Sequence, residues 1–217
     1  MKEENIWEER YKVMKDNWGI EAEYTLLQYE ELVQEGKILD IGVGEGRNIL
    51  KFALKGYEIE GIDISRTAIE RCARLLKETE CRYTLSCCNL LDYEIKADTY
   101  SLILSTWVLN FIKKSESFNL LNRMKEGLIK GGIIYMGVFS KEDPMFHTYK
   151  NSYSEVEKDT FYLKDRDLYY TYFDLNELMD LFEDDFELIC RKEDFSLDYG
   201  HGDRHYHGAI ELIMRKK

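Results

Sequence analysis

Five apolar runs recur between Ile38 and Phe139, and their alternation with helical patterns limits the fold more than any other feature of the chain. The runs are ILDI (38–41), YEIEGID (57–63), CRYTLSCC (81–88), YSLILSTW (100–107) and GGIIYMGVF (131–139). In the first, Ile38, Leu39 and Ile41 make a short strand apolar on both faces, as in the strands of parallel sheets. Helical spacing begins near Asn48, begins again behind Ser65 as a cap, and runs a third time from about Ser115 to Ile129, where Gly131-Gly132 ends it. Strands alternating with helices in this way predict an α/β fold, a Rossmann-like three-layer sandwich with helices on both faces of a mostly parallel sheet.

Outside that core the rhythm changes. Residues 5–35 carry helical spacing, with Trp7, Tyr11, Leu26, Leu27 and Leu32 as the apolar stripe. Residues 140–173 show no strong strand and are crowded with Tyr and Phe; SYSEVEKD (152–159) is the one segment there with helical character. A stretch of that length is a functional lid or a hidden helix. A helix at about 174–182 follows, then strands at 185–195 and 206–216, close enough in sequence to pair antiparallel at a sheet edge. With one proline, no repeat and no linker, the chain reads as a single domain over 1–217: N-terminal helices (1–35), a ligand-binding core (36–139), an aromatic lid insertion (140–173), and a helix with an antiparallel strand pair (174–217).

The 217 residues are 44% hydrophobic, enough for one sizeable core. Acidic residues outnumber basic ones 42 to 30, and no Lys/Arg cluster appears, so a nucleic-acid partner is excluded as the leading reading. No run of eighteen apolar residues and no apolar leader occurs, which predicts a cytoplasmic protein without a membrane span, a monomer or homodimer. The five cysteines have no metal-ligand spacing and fit reduced thiols; vicinal Cys87 and Cys88 either bind a soft element or pack in a strand.

The first strand ends in Gly42, Gly44 and Gly46, a G-x-G-x-G turn preceded by Asp40. Nicotinamide cofactors favour G-x-G-x-x-G, whose third glycine lets helix and strand approach; that position is Arg47 here. The alternate-glycine turn instead suits S-adenosylmethionine (SAM), whose amino-acid and ribose parts lie against the main chain. Asp63 closes the second strand 17 residues after Gly46, where a carboxylate accepts both ribose hydroxyls, while Ser65 caps the next helix. Asn89 is placed to meet the adenine amino group and Leu90 to cover its ring. Ser105 and Thr106 end the fourth strand with small hydroxyls expected to face the crevice.

With ILDIGVGEGRN, GYEIEGIDIS, ILSTWVLNFI and LIKGGIIYMGVFS, the chain resembles the class I SAM-dependent methyltransferases, and within them the tellurite-resistance-like branch. The resemblance covers about residues 36–139 and, more loosely, the last two strands. It departs at Val43, where the branch usually carries cysteine, and at Asn89, where many relatives carry aspartate. It implies a seven-stranded sheet with an antiparallel last strand, and SAM as the cofactor. The cofactor contacts it implies are Tyr11, Asp40, Gly42, Val43, Gly44, Asn48, Asp63, Ile64, Asn89, Leu90, Ser105 and Thr106, with WEERY (7–11) folding over the ligand. Methyl transfer to a small-molecule acceptor is the activity implied. A SAM-binding module without catalysis and an NAD-dependent reductase are the alternatives.

Two segments can shape the acceptor side. Aromatic residues between Tyr149 and Phe173 either close over a cation or simply pack beneath a loop. HGDRHYHG (201–208) holds three of the four histidines, open to three readings: a solvated hairpin, an acceptor-binding or base cluster, or a metal site. Of these, His201 and His205 with Arg204 are taken as the acceptor-side catalytic group, without a metal.

Overall fold

The computed structural model of the protein describes residues 6–16, 18–198 and 205–217. In chain order the elements are α1 (Ile6–Val13), α2 (Tyr24–Gln28), β1 (Lys37–Ile41), α3 (Leu50–Leu54), β2 (Glu58–Asp63), α4 (Arg66–Leu76), β3 (Tyr83–Cys87) and β4 (Tyr100–Thr106). They continue with α5 (Lys114–Gly127), β5 (Leu128–Phe139), α6 (Pro144–Ser152), β6 (Ser154–Glu157), β7 (Thr160–Leu163), β8 (Leu168–Thr171), α7 (Leu175–Phe182), β9 (Phe186–Asp198) and β10 (His205–Lys216). Among the described residues seven strands form the main sheet in the order β3-β2-β1-β4-β5-β10-β9. β1 to β5 pair in parallel, and β10 lies antiparallel between β5 and β9. The sandwich, its parallel core and its antiparallel last strand are those the sequence predicts.

Period-two alternation along the strands builds the two apolar layers. On one face Leu39, Ile41 and Ile103 pack with Leu120, Leu121 and Met124 of α5 and Leu178 and Phe182 of α7. On the other, Ile38, Leu102 and Leu104 pack with Leu26 of α2, Phe52 of α3, and Cys72 and Leu76 of α4. Ser65 caps α4 as expected, its Oγ accepting the Ala68 N–H at 3.1 Å.

Residues 140–173 depart from expectation. Asp143 and Pro144 start α6, the carboxylate accepting the Met145 N–H at 2.8 Å. Where SYSEVEKD suggested a helix, the chain makes β6, the first strand of a separate antiparallel sheet β6-β7-β8. Asp159 and Asp167 carry the positive φ of its two turns (57° and 47°), a conformation aspartate tolerates. The insertion has its own apolar cluster of Phe146, Tyr149, Phe161, Leu163 and Tyr172. Buried Lys114 of α5 ties it to the main body, reaching Asp159 at 3.2 Å and Glu177 at 2.6 Å. The N-terminal segment is likewise more broken than predicted: α1 and α2 flank a turn in which Asp16 and Gly19 have positive φ (53° and 80°).

Candidate active site

From β1 the chain steps outward through β2 and β3, then crosses back to β4 on the other side of β1. Sheets of this kind bind ligands beyond the carboxyl ends of the strands at that reversal. Here that place is a cavity of about 1230 Å³. Pockets for one small ligand run to roughly 300–1,000 Å³, so this one has room for a cofactor and a second molecule.

Its floor is the glycine turn. Gly42, Gly44 and Gly46 have φ of 77°, 54° and 92°, the left-handed region that side chains resist. A Cβ on Gly42 would lie 2.3 Å from the Val108 side chain, and one on Gly44 would lie 2.7 Å from the Tyr11 hydroxyl. The bare backbone is therefore required by the protein's own packing as well as by any ligand above it. Asp63, at the end of β2, accepts the Gly44 N–H at 3.0 Å and the Ser65 N–H at 2.8 Å. Burial raises its pKa; the backbone N–H groups of Ser65, Gly44 and Ile64 oppose that rise. Two strand ends are thus clamped by one carboxylate at the cavity floor.

α1 forms the roof. Burial opposes ionisation of Glu8, but the Ser65 hydroxyl (2.7 Å) and the Thr67 N–H and hydroxyl (3.1 and 2.8 Å) outweigh it, so its pKa lies below the usual range. This pins α1 to the start of α4. Trp7 stands edge-on to Phe111 at 4.6 Å, and Trp7, Tyr11 and Trp18 all line the cavity.

Thr106 and Trp107 come from the end of β4. Trp107 has φ of 59°, an outlier for so bulky a residue and a form of strain concentrated at functional sites. Two contacts hold it: its indole N–H donates to Glu23 at 2.8 Å, and its ring lies where a Cβ on Gly137 would come within 3.3 Å. Glu23 also pairs with Arg47, whose guanidinium reaches the Glu21 carbonyl at 2.8 Å.

The far wall is aromatic and includes Phe139, Tyr149, Tyr169, Tyr170 and His207. Phe139 at the end of β5 lies nearly parallel to Trp107, Tyr170 and His207 (interplanar angles 28°, 8° and 11°). His207 Nδ1 lies 2.9 Å from Oδ2 of Asp143, which is 1% exposed.

Most of the sequence-derived contacts line this cavity: Tyr11, Gly42, Val43, Gly44, Asn48, Asp63, Ile64, Asn89, Leu90 and Thr106. Asn48 is also committed to the scaffold, accepting the Glu23 N–H at 3.0 Å and donating to Thr106 Oγ1 at 3.2 Å. Two expectations need correcting. Ser105 is fully buried and does not line the cavity, because it neighbours Thr106 in a strand and so faces the other way. Asp40 is also buried away from the cavity, 2% exposed, and burial raises its pKa to about 7. His201 and Arg204 lie outside the described residues; of His205 only the backbone is described, opposite Asp198 at the start of β10. The sequence reading missed Trp18, Glu23, Trp107 and the Asp143–His207 pair, while Trp7 lies in the WEERY segment expected over the ligand. Glycine inside an otherwise apolar strand at Gly137 and the helix-starting Asp143-Pro144 were the available signals.

A family model, tellurite resistance protein TehB, matches residues 1–195. The chain belongs to the TehB family. Relatives and structures that it resembles are SAM-dependent methyltransferases by name. A TehB relative from Haemophilus influenzae, a probable SAM-dependent methyltransferase, is 29% identical over 145 residues, 62% of this chain and 49% of the relative. The chain therefore spans about half the length of that curated relative. A carboxy-S-adenosyl-L-methionine synthase from Haemophilus ducreyi is also 29% identical, over 59% of each chain. The fold matches the crystal structure of Haemophilus influenzae TehB at a TM-score of 0.71 and 19% identity, covering 97% of this chain and 67% of that one. A SAM-dependent methyltransferase from Methanosarcina mazei matches at 0.72 and 18% identity, covering 90% and 98%. The glycine cradle, the carboxylate at the end of β2 and the cavity's size fit SAM.

Proposed function

We propose that the protein transfers the methyl group of SAM to a small-molecule acceptor. The observation that carries this reading is Asp63: a half-buried carboxylate clamps the glycine turn at the floor of a cavity whose opposite wall is aromatic. Bound SAM supplies a methyl group on a positive sulfonium, so the protein's work is alignment and exclusion of water. Gly42, Gly44 and Asp63 hold the amino-acid and ribose end, and Asn89 and Leu90 the adenine. Tyr11 and Trp7 of α1, with Trp18 from the turn that follows, cover this end, leaving the space toward Phe139 and Tyr170 for the acceptor. Aromatic faces there favour the sulfonium's charge as well as an apolar acceptor.

The NAD reading is opposed by Arg47: it fills the third-glycine position and pairs with Glu23, beside the turn a pyrophosphate would need. Calorimetry with S-adenosylhomocysteine and with NAD, followed by transfer of labelled methyl from SAM to a panel of small acceptors, tests the proposal. Binding of the adenosyl ligand and labelled product are expected. Tight NAD binding without SAM binding would overturn it, and SAM binding without turnover on any acceptor would leave a non-catalytic module.

A further inference from the structure

The order of the strands lays the site out from one side to the other. Asn89 follows β3, Asp63 ends β2, the glycine turn follows β1, Trp107 follows β4 and Phe139 ends β5. In the sheet these strands stand in that same order, β3-β2-β1-β4-β5. With the adenine at the β3 end, the ribose at Asp63 and the acceptor before Phe139, the end of β4 stands where cofactor gives way to acceptor. Residues 107 and 108 straddle that line. Val108 packs on the cofactor side, where a Cβ on Gly42 would come within 2.3 Å of it, and Trp107 packs on β5 at Gly137.

Trp107 presents a ring face, and its surroundings fix which one. A Cβ on Gly137 would lie 3.3, 3.3 and 3.4 Å from three atoms of the six-membered ring, so a face and not an edge covers that glycine. The other face is turned away from β5, and the half-buried residue lines the cavity. The backbone N–H of Trp107 donates to the Gly137 carbonyl at 2.9 Å, and Phe139 lies beside the ring, 6.0 Å between centroids. At the ring's edge the indole N–H donates to the Glu23 carboxylate at 2.8 Å. Glu23 is itself anchored, its N–H donating to Asn48 at 3.0 Å and its carboxylate pairing with Arg47. A donor bonded to a carboxylate is polarised, which leaves the indole more electron-rich. The positive φ of Trp107 persists because these contacts over-determine it, as strain at a working position does.

Resting on the methyltransferase reading, we infer that the cavity-facing ring face of Trp107 receives the sulfonium of SAM and makes Trp107 the residue that distinguishes the charged cofactor from its neutral product. The face of an aromatic ring is negative and attracts a cation, Trp most strongly, and the attraction grows where water is excluded. S-adenosylhomocysteine carries a neutral thioether at the same place, so this attraction is lost once the methyl has left. Glu23 is the positioning residue, holding the indole by its edge.

The test titrates the full chain and its Trp107 variants with SAM and, separately, with S-adenosylhomocysteine by calorimetry, folding being checked by circular dichroism. Trp107→Leu should weaken SAM by about 3- to 30-fold and leave S-adenosylhomocysteine within about twofold of the wild type. Trp107→Phe keeps a ring without the bond to Glu23, and should weaken SAM less than Trp107→Leu does. If Trp107→Leu does not fold, Trp107→Met, whose unbranched side chain adapts to the space, is read in the same way. Equal weakening of both ligands overturns the inference, because the indole would then only shape the cavity. So does unchanged affinity for SAM, and so does a Trp107→Phe variant as weak as Trp107→Leu, which would assign the loss to the Glu23 bond. Failure of the wild type to bind either ligand is a separate result, and overturns the methyltransferase reading underneath.

Discussion

Asp40 is a carboxylate placed in the sheet interior, and it should give the protein a pH dependence that can be worked out in advance. It pairs across the sheet with Gly61 and Leu104, is 2% exposed, and does not line the cavity. Burial raises its pKa from 3.8 to about 7, Arg47 opposing and Asp63 adding to the rise. Between those values the folded chain keeps a proton that the unfolded chain releases, so stability from this group is present in acid and lost as pH rises toward 7. A rise of about three pH units corresponds to ~4 kcal/mol, reached above pH 7 and absent below pH 4. Asp40→Asn removes the ionisation while keeping the size. Urea unfolding at intervals from pH 4 to 8 should therefore show the variant gaining on the wild type as pH rises, by a few kcal/mol across the window. The absolute offset also contains whatever the amide loses in local bonding, so the slope of the difference is the quantity to read. A difference that stays constant from pH 4 to 8 would refute the reasoning, because it would mean that Asp40 ionises alike in both states.

Three other outcomes follow from the same geometry. Asp63→Ala removes the carboxylate that clamps Gly44 and Ser65, and should weaken S-adenosylhomocysteine binding by about 1–3 kcal/mol in calorimetry; unchanged affinity would remove Asp63 from the site. Lys114→Met strands Asp159 and Glu177 without their shared cation and should cost about 3 kcal/mol in denaturant unfolding, with an effect within 0.5 kcal/mol, the roughly neutral range, counting against a structural role. If 140–173 acts as a lid, its amide hydrogen exchange should slow when S-adenosylhomocysteine is added, whereas equal protection with and without the ligand would make it a fixed wall.

The parts of this molecule that were legible in the sequence are those where one residue type meets a local backbone or burial demand. The doubly apolar strands, the glycines at positive φ, the Ser65 cap and the acidic end of β2 each announce themselves within a few residues, because strand burial and turn conformation are short-range requirements. The small sheet β6-β7-β8 did not, since its four-residue strands alternate too briefly to show a period, and its tyrosines are apolar on one side and polar on the other. Ser105 was misread for a simpler reason: two consecutive residues of a strand cannot both face one crevice, and the hydroxyl on each obscured that rule. The acceptor wall was the least legible. His207 meets Asp143 across 64 positions, and Trp107 meets Gly137 across 30, so neither pairing leaves a trace in local spacing. What does survive locally is one trace of each pairing: a glycine near the end of β5, a misfit with strand propensity, and an aspartate that caps α6 before a proline. The misfit, in a chain otherwise consistent across its levels, is where a site should be sought first.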